Sequence, residues 1–179
     1  MKNIILTVFL FLLLFPIRAF ANEKTPNDEI NAKVTQLAAM MGDSYSHEYP
    51  DYRGIQILRN KKEDTIVAVA VFTIEGLGGG NNYTQYMAVF SALSEASEGH
   101  PKRMSLLDVM AVGGKGVRGI EFKNIRIEQL KGDIIITVPT AEYGPQDAMC
   151  CPSIKSEAQF IIHPYVGGRL KKITKRTKK

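Results

Sequence analysis

The sequence predicts an α+β fold in a single domain: mainly a twisted antiparallel β-meander with one N-terminal helix. Three observations predict it. Apolar residues recur at helical spacing over residues 30–41, ahead of any strand signal. From residue 54 onward they alternate with polar residues or run together in segments of strand length. Turn residues separate those segments at short, fairly even intervals. A small all-β sandwich is the alternative architecture.

Thr25-Pro26 reads as a helix start, with Thr25 as cap, Pro26 at the first helical position, and Asp28 and Glu29 near the positive end. Ile30, Val34, Leu37, Ala38 and Met41 form the apolar stripe, and Gly42 closes the helix. Residues 47–53, His-Glu-Tyr-Pro-Asp-Tyr-Arg, read as a polar, aromatic linker or loop. Ile55 and Ile57 alternate with polar neighbours, and residues 59–64 form a turn. Residues 65–74 are apolar on both faces, as expected of a central strand covered on each side, the helix being one cover. A second long strand spans 83–93, with Tyr86, Ala88 and Phe90 on one face and Met87 and Val89 on the other. Residues 104–112 are a further apolar segment, strand or short helix. Residues 120–130 and 133–140 read as a hairpin turned by Lys131-Gly132. Ala158, Phe160 and Ile162 mark another strand, and Gly167-Gly168 a turn before the last one.

The N-terminus reads as an export signal over residues 1–21. Lys2 supplies a positive start, Ile4 to Phe15 an apolar run of 12 residues, Pro16 a break, and Ala19-Phe20-Ala21 a small-x-small cleavage site. The run is shorter than the ~20 residues a membrane-spanning helix needs. The organisation expected is signal peptide 1–21, helix and linker 22–50, β-rich domain 51–174 and basic tail 175–179. Localisation is then periplasmic or secreted, with no transmembrane segment in the mature chain. The net charge of +5 belongs to the ends: residues 22–168 hold 14 basic against 18 acidic residues. That pattern argues against a nucleic-acid partner, since such domains carry their basic residues in the folded body. The tail is suited at most to weak contact with an anionic surface.

Three glycine-bearing stretches carry functional readings. Residues 114–119, Gly-Lys-Gly-Val-Arg-Gly, match a dinucleotide fingerprint, but a strand pattern follows where a helix must begin, so a turn is expected. Gly76-Leu77-Gly78-Gly79-Gly80-Asn81-Asn82 joins two apolar strands with more glycine than a hairpin requires. It can serve as an anion-binding nest, or let another backbone pass closely. Asn82-Tyr83-Thr84 is a formal glycosylation sequon at a strand start.

Both cysteines lie in Asp147-Ala148-Met149-Cys150-Cys151-Pro152-Ser153. In an oxidising compartment three states are open: two reduced thiols, a Cys150–Cys151 disulfide, or a bond to another molecule. Adjacent Cα atoms stand about 3.8 Å apart, less than the ~4.4–6.8 Å of ordinary bridges, so a vicinal bond closes a small strained ring. A catalytic reading takes Cys150 or Cys151 as nucleophile with His163 and Asp147, and a metal reading uses the same four residues. Both are weaker than a structural reading: His163 falls where a strand meets Pro164, and adjacent cysteines lack metal-ligand spacing. His47 and His100 sit in polar loops and carry no role. No metal or other cofactor is expected.

Residues 78–90 (Gly-Gly-Gly-Asn-Asn-Tyr-Thr-Gln-Tyr-Met-Ala-Val-Phe), 112–116 (Val-Gly-Gly-Lys-Gly) and 147–153 together resemble small exported bacterial proteins of uncharacterised function. The likeness spans about residues 65–170. It implies a periplasmic location and a β-rich fold, and carries over no catalytic residue. The expected function is a non-enzymatic binding or interaction domain whose partner is an envelope protein or small ligand. Its candidate contacts are Gly78, Gly79, Gly80, Asn81, Tyr143 and Asp147, on loops held by a rigid scaffold. The alternatives are a thiol-dependent enzyme, hydrolytic or redox, using Cys150 or Cys151, and a structural envelope protein.

Overall fold

A computed structural model of the chain describes residues 25–62, 64–93, 103–164 and 168–173. The segment expected as an export signal, His100 and the basic tail lie outside the described residues.

Helix α1 (Pro26–Met41) starts as its sequence dictates. The Thr25 hydroxyl accepts the Asp28 N–H at 3.2 Å, and the Asp28 carboxylate accepts the Thr25 N–H at 3.2 Å. This reciprocal box satisfies donors that a helix start otherwise leaves free. Ile30, Val34, Leu37 and Ala38 form the buried face.

The strands form two antiparallel sheets, each a meander. In the first, β1 (His47–Glu48) and β2 (Gly54–Asn60) lie end to end along one side of β3 (Thr65–Glu75), followed by β4 (Tyr83–Leu93) and β5 (Ser105–Gly114). In the second, β6 (Gly119–Ile120) and β7 (Arg126–Leu130) line one side of β8 (Asp133–Glu142), followed by β9 (Ile154–Ile162) and β10 (Lys171–Ile173). Residues 47–53, expected as a linker, therefore contribute an edge strand and a turn of 3-10 helix at Pro50–Tyr52. Residues 105–114 resolve the strand-or-helix ambiguity as strand. Lys131 and Gly132 make the β7–β8 turn with φ of 53° and 86°. Two positive values are the requirement of a type I′ hairpin turn.

The predicted class stands: one helix and mainly antiparallel sheet. The strands divide between two sheets instead of continuing one, so the α+β class and the sandwich alternative combine in three layers. The cause lies in β3 and β4, which are apolar on both faces and need two covers. Ile66, Ala68, Ala70, Phe72, Ile74, Ala88 and Phe90 pack under the helix. Val67, Val69, Val71, Met87 and Val89 pack against Ile134, Ile136, Val138, Phe160 and Ile162 of the second sheet. Phe72 and Phe90 are fully enclosed, each burial contributing about 1.5–3 kcal/mol.

Polar contacts lace both sides of the sandwich. Asn60 Nδ2 donates to Gln129 Oε1 at 2.9 Å, joining β2 to β7. Gly54 sits where a side chain would overlap the Phe122 carbonyl, so only glycine admits this approach. On the other side the β4–β5 register shifts between Val89 and Phe90. Asp108, at that irregularity, accepts the Leu170 N–H at 2.6 Å.

Candidate functional site

The β8–β9 loop is organised by Asp147. Its carboxylate accepts the Gly144 N–H at 2.7 Å, the Ser153 N–H at 2.8 Å and the Ser153 hydroxyl at 2.9 Å. These bonds, led by the Gly144 N–H, hold its carboxyl below the usual carboxylate range. Asp147 thus ties the two ends of the loop together, and its acceptor capacity is spent inside the loop. Within it the Ala148 carbonyl accepts the Cys151 N–H at 2.9 Å, a turn that presents Cys150 and Cys151 to solvent. Their sulfurs lie at bonding distance across a Cα–Cα separation of 3.8 Å. Of the three states open to the pair, the vicinal disulfide is the one this geometry favours.

The second candidate loop, between β3 and β4, is equally closed on itself. Gly76 N–H donates to Asn82 O at 2.7 Å and Gly79 N–H to Gly76 O at 2.8 Å. Gly78 N–H donates to Asp43 Oδ2 at 2.7 Å. This bond leads those that lower the Asp43 carboxyl below its ordinary range. The anion that the glycine loop receives is therefore the chain's own Asp43. Gly76, at φ 81°, also passes the Tyr45 carbonyl so closely that a Cβ would sit 2.7 Å from its oxygen.

The two loops converge through the β5–β6 turn. Lys115 Nζ donates to Asn81 Oδ1 at 2.5 Å, and Lys115 N–H to Tyr83 O at 3.2 Å. One residue on, the Gly116 N–H donates to the Tyr143 hydroxyl at 3.1 Å, and that hydroxyl donates to Met149 O. The glycine-rich 114–119 segment is the expected turn and opens strand β6 instead of a helix. Its place between the loops was not visible in sequence. Val117, Met149 and Ile154 crowd this end with 61%, 65% and 49% of their surface exposed. Gly78, Gly79, Gly80, Asn81, Tyr143 and Asp147 all lie here, but Gly78, Gly79, Asn81, Tyr143 and Asp147 spend their polar groups on neighbouring loop atoms.

His163 is not part of this end. Ile134 pairs with Ile162 and Glu142 with Ile154, so His163 and the cysteines lie at opposite ends of the β8–β9 ladder. At ~3.3 Å per residue the separation is about 25 Å. His163 instead holds Asp133, Nδ1 to Oδ1 at 2.5 Å. The Cys/His/Asp constellation is not assembled. Among the described residues no group of three His, Cys, Asp or Glu side chains is placed to hold a metal ion.

Sequence reasoning missed an aromatic cleft of about 550 Å³ beside the glycine loop. Tyr49, Tyr52, Thr73, Glu75, Tyr83, Gln85 and Phe122 line it. Glu75 faces Tyr83 and Thr73 faces Gln85 across the β3–β4 ladder, directly beyond the core pair Val71–Met87. The inner face of the first sheet thus turns from aliphatic to polar and aromatic at its end. Gln85 is locked by Ile120, whose N–H donates to Oε1 at 2.7 Å and whose carbonyl accepts from Nε2 at 3.4 Å. Burial, then Tyr143 and Glu75, push the Tyr83 phenol up from its ordinary value. The segment carrying Tyr49 and Tyr52 is pinned to the helix by Arg53. Its guanidinium donates to Glu48 Oε1 at 2.7 Å, Asn31 O at 2.8 Å and Thr35 Oγ1 at 2.8 Å. Two tyrosines spaced three apart around Pro50 were the available signal.

Compared with known families, with curated proteins and with solved structures, the chain matches none.

Proposed function

We propose that the chain is a non-enzymatic binding or interaction domain of the bacterial periplasm, with its contact surface at the loop end of the sandwich. The observation that carries this reading is the convergence of the 76–82 and 143–153 loops on the Lys115–Gly116 turn. Internal hydrogen bonds stiffen both loops, and a Cys150–Cys151 bond would stiffen the second further, which lowers the ordering cost of binding. Val117, Met149 and Ile154 supply apolar surface of the kind that marks contact sites. A thiol-dependent enzyme is the weaker reading, because a cysteine nucleophile needs a base within hydrogen-bond reach and His163 stands at the far end of β9. The export signal and the motif resemblance support the periplasmic location.

The test places a photocrosslinking residue at position 149 or, as control, at 128 on the β7 strand, in cells exporting the protein. Position 149 is expected to capture a discrete partner that the control does not, and Val117→Ser is expected to reduce capture. Unchanged partners and phenotype after serine substitutions in both loops would refute the reading. Intact mass of the exported protein, expected to begin at Asn22, tests the location.

A further inference from the structure

We propose that the aromatic cleft beside the glycine loop binds a small organic cation of the quaternary-ammonium class. Tyr49, Tyr52, Tyr83 and Phe122 line an open cleft of about 550 Å³. Such aromatic walls attract a cation through the negative faces of their rings, and methylated ammonium groups are bound this way in aromatic cages. Tyr49 and Tyr52 stand edge to face with centroids 6.3 Å apart, so the two rings form a corner and not a flat platform.

The charge of the cleft has one sign. Glu75 lines it, and no lysine, arginine or histidine does. Glu75 forms no ion pair among the described residues. His47, its partner across the β1–β3 ladder, turns Nδ1 to the Tyr45 carbonyl at 3.0 Å.

Donor and acceptor counts select the kind of cation. A primary ammonium brings three N–H donors that need acceptors when desolvated. The cleft offers one carboxylate; its other side-chain acceptors, the Thr73 and tyrosine hydroxyls, are uncharged, and the Gln85 amide is occupied by Ile120. A quaternary ammonium has no N–H to satisfy, so rings and a single carboxylate suffice. The walls are held in advance, by the Arg53–Glu48 clamp on one side and the Gln85–Ile120 clamp on the other, which favours binding without reordering.

This site adjoins the loop surface through Glu75 and Tyr83, and the test keeps the two apart. The chain is titrated with choline and with tetramethylammonium by calorimetry and by amide shifts. 3,3-Dimethylbutan-1-ol, the neutral isostere of choline, and N-acetylglucosamine are run in parallel. Both cations are expected to saturate, with the isostere about tenfold weaker or more. Glu75→Gln and Tyr52→Leu, both at exposed positions, are each expected to weaken choline about five- to tenfold while melting like the parent. Val117→Ser and Met149→Ser are expected to leave choline affinity unchanged, and Glu75→Gln to leave crosslinking at position 149 unchanged. Equal affinity for the isostere, no saturation by either cation, or full choline affinity in Glu75→Gln would overturn the proposal. Saturable N-acetylglucosamine binding lost in the same variants would reassign the cleft to saccharides and overturn it equally.

Discussion

Arg53→Ala tests how the β1–β2 edge is anchored. The Arg53 and Glu48 side chains are 3% and 9% exposed, and the guanidinium meets both carboxylate oxygens, at 2.7 and 2.5 Å. It also donates to Asn31 and Thr35 of the helix. Truncation leaves the Glu48 carboxylate enclosed without a countercharge, a change that costs about 3–5 kcal/mol in buried pairs. Asn31 and Thr35 lie near the surface and can turn to water, so their lost bonds add little. The expected cost is therefore about 4 kcal/mol, or a fall in Tm of about 10 °C for a chain of this size. Arg53→Lys keeps the charge and loses the two-pronged geometry, and should cost roughly half as much. The decisive variant is Arg53→Met with Glu48→Leu, which removes both charges and should be more stable than Arg53→Ala alone. Urea unfolding followed by circular dichroism, with the m-value checked for constancy, measures all three. A cost for Arg53→Ala below about 1 kcal/mol, or a double variant no more stable than Arg53→Ala, would refute the reasoning.

Further outcomes follow from the loops. Gly76→Ala should destabilise more than Gly79→Ala in the same urea experiment, because both hold positive φ but only Gly76 would bring its Cβ against a backbone oxygen. Cys150→Ser with Cys151→Ser should lower stability by less than about 1 kcal/mol, since the bridge closes no intervening chain. The intact mass of the parent should rise by two hydrogens on reduction. Asp147 has its folded pKa depressed, so its contribution is present above the unfolded value and lost as pH falls through the folded one. The Gly144 and Ser153 amides should therefore titrate with a midpoint below the ordinary 3.8, and not at neutral pH.

Sequence reading succeeded where local chemistry decides. The Thr25-Pro26 start and the Ile30–Val34–Leu37 spacing located the helix, and Lys131-Gly132 located the hairpin, because each rests on contacts within a few residues. The second sheet was hidden for the opposite reason. Alternation reports that a face is buried but not which strands bury it, and Val69 packing on Ile136 is a contact across two meanders. The cysteine loop was legible as a feature, while its bonding state and its docking on Gly116 were not. The aromatic cleft was invisible because Tyr49, Glu75, Tyr83 and Phe122 come from four separate segments. Each looks like an ordinary surface residue until the Arg53 clamp and the β3–β4 register bring them together.

The meander topology also sets an order of assembly. Apart from β1, which reaches past β2 to β3, and β6, which reaches past β7 to β8, each sheet pairs strands that follow one another in the chain, so each can close quickly from largely local contacts. The helix and first sheet are complete by Gly114, ahead of any strand of the second. Until those later strands arrive, Val67, Val69, Val71, Met87 and Val89 form a bare apolar face that is sealed only by the second meander. The hazard in making this protein is thus the interval between the two sheets, when that face can meet its like on another chain. A chain ending at Gly114 should hold its helix and strands yet self-associate, as sedimentation would report. Conditions that slow the second meander should cost yield without altering the protein that does finish folding.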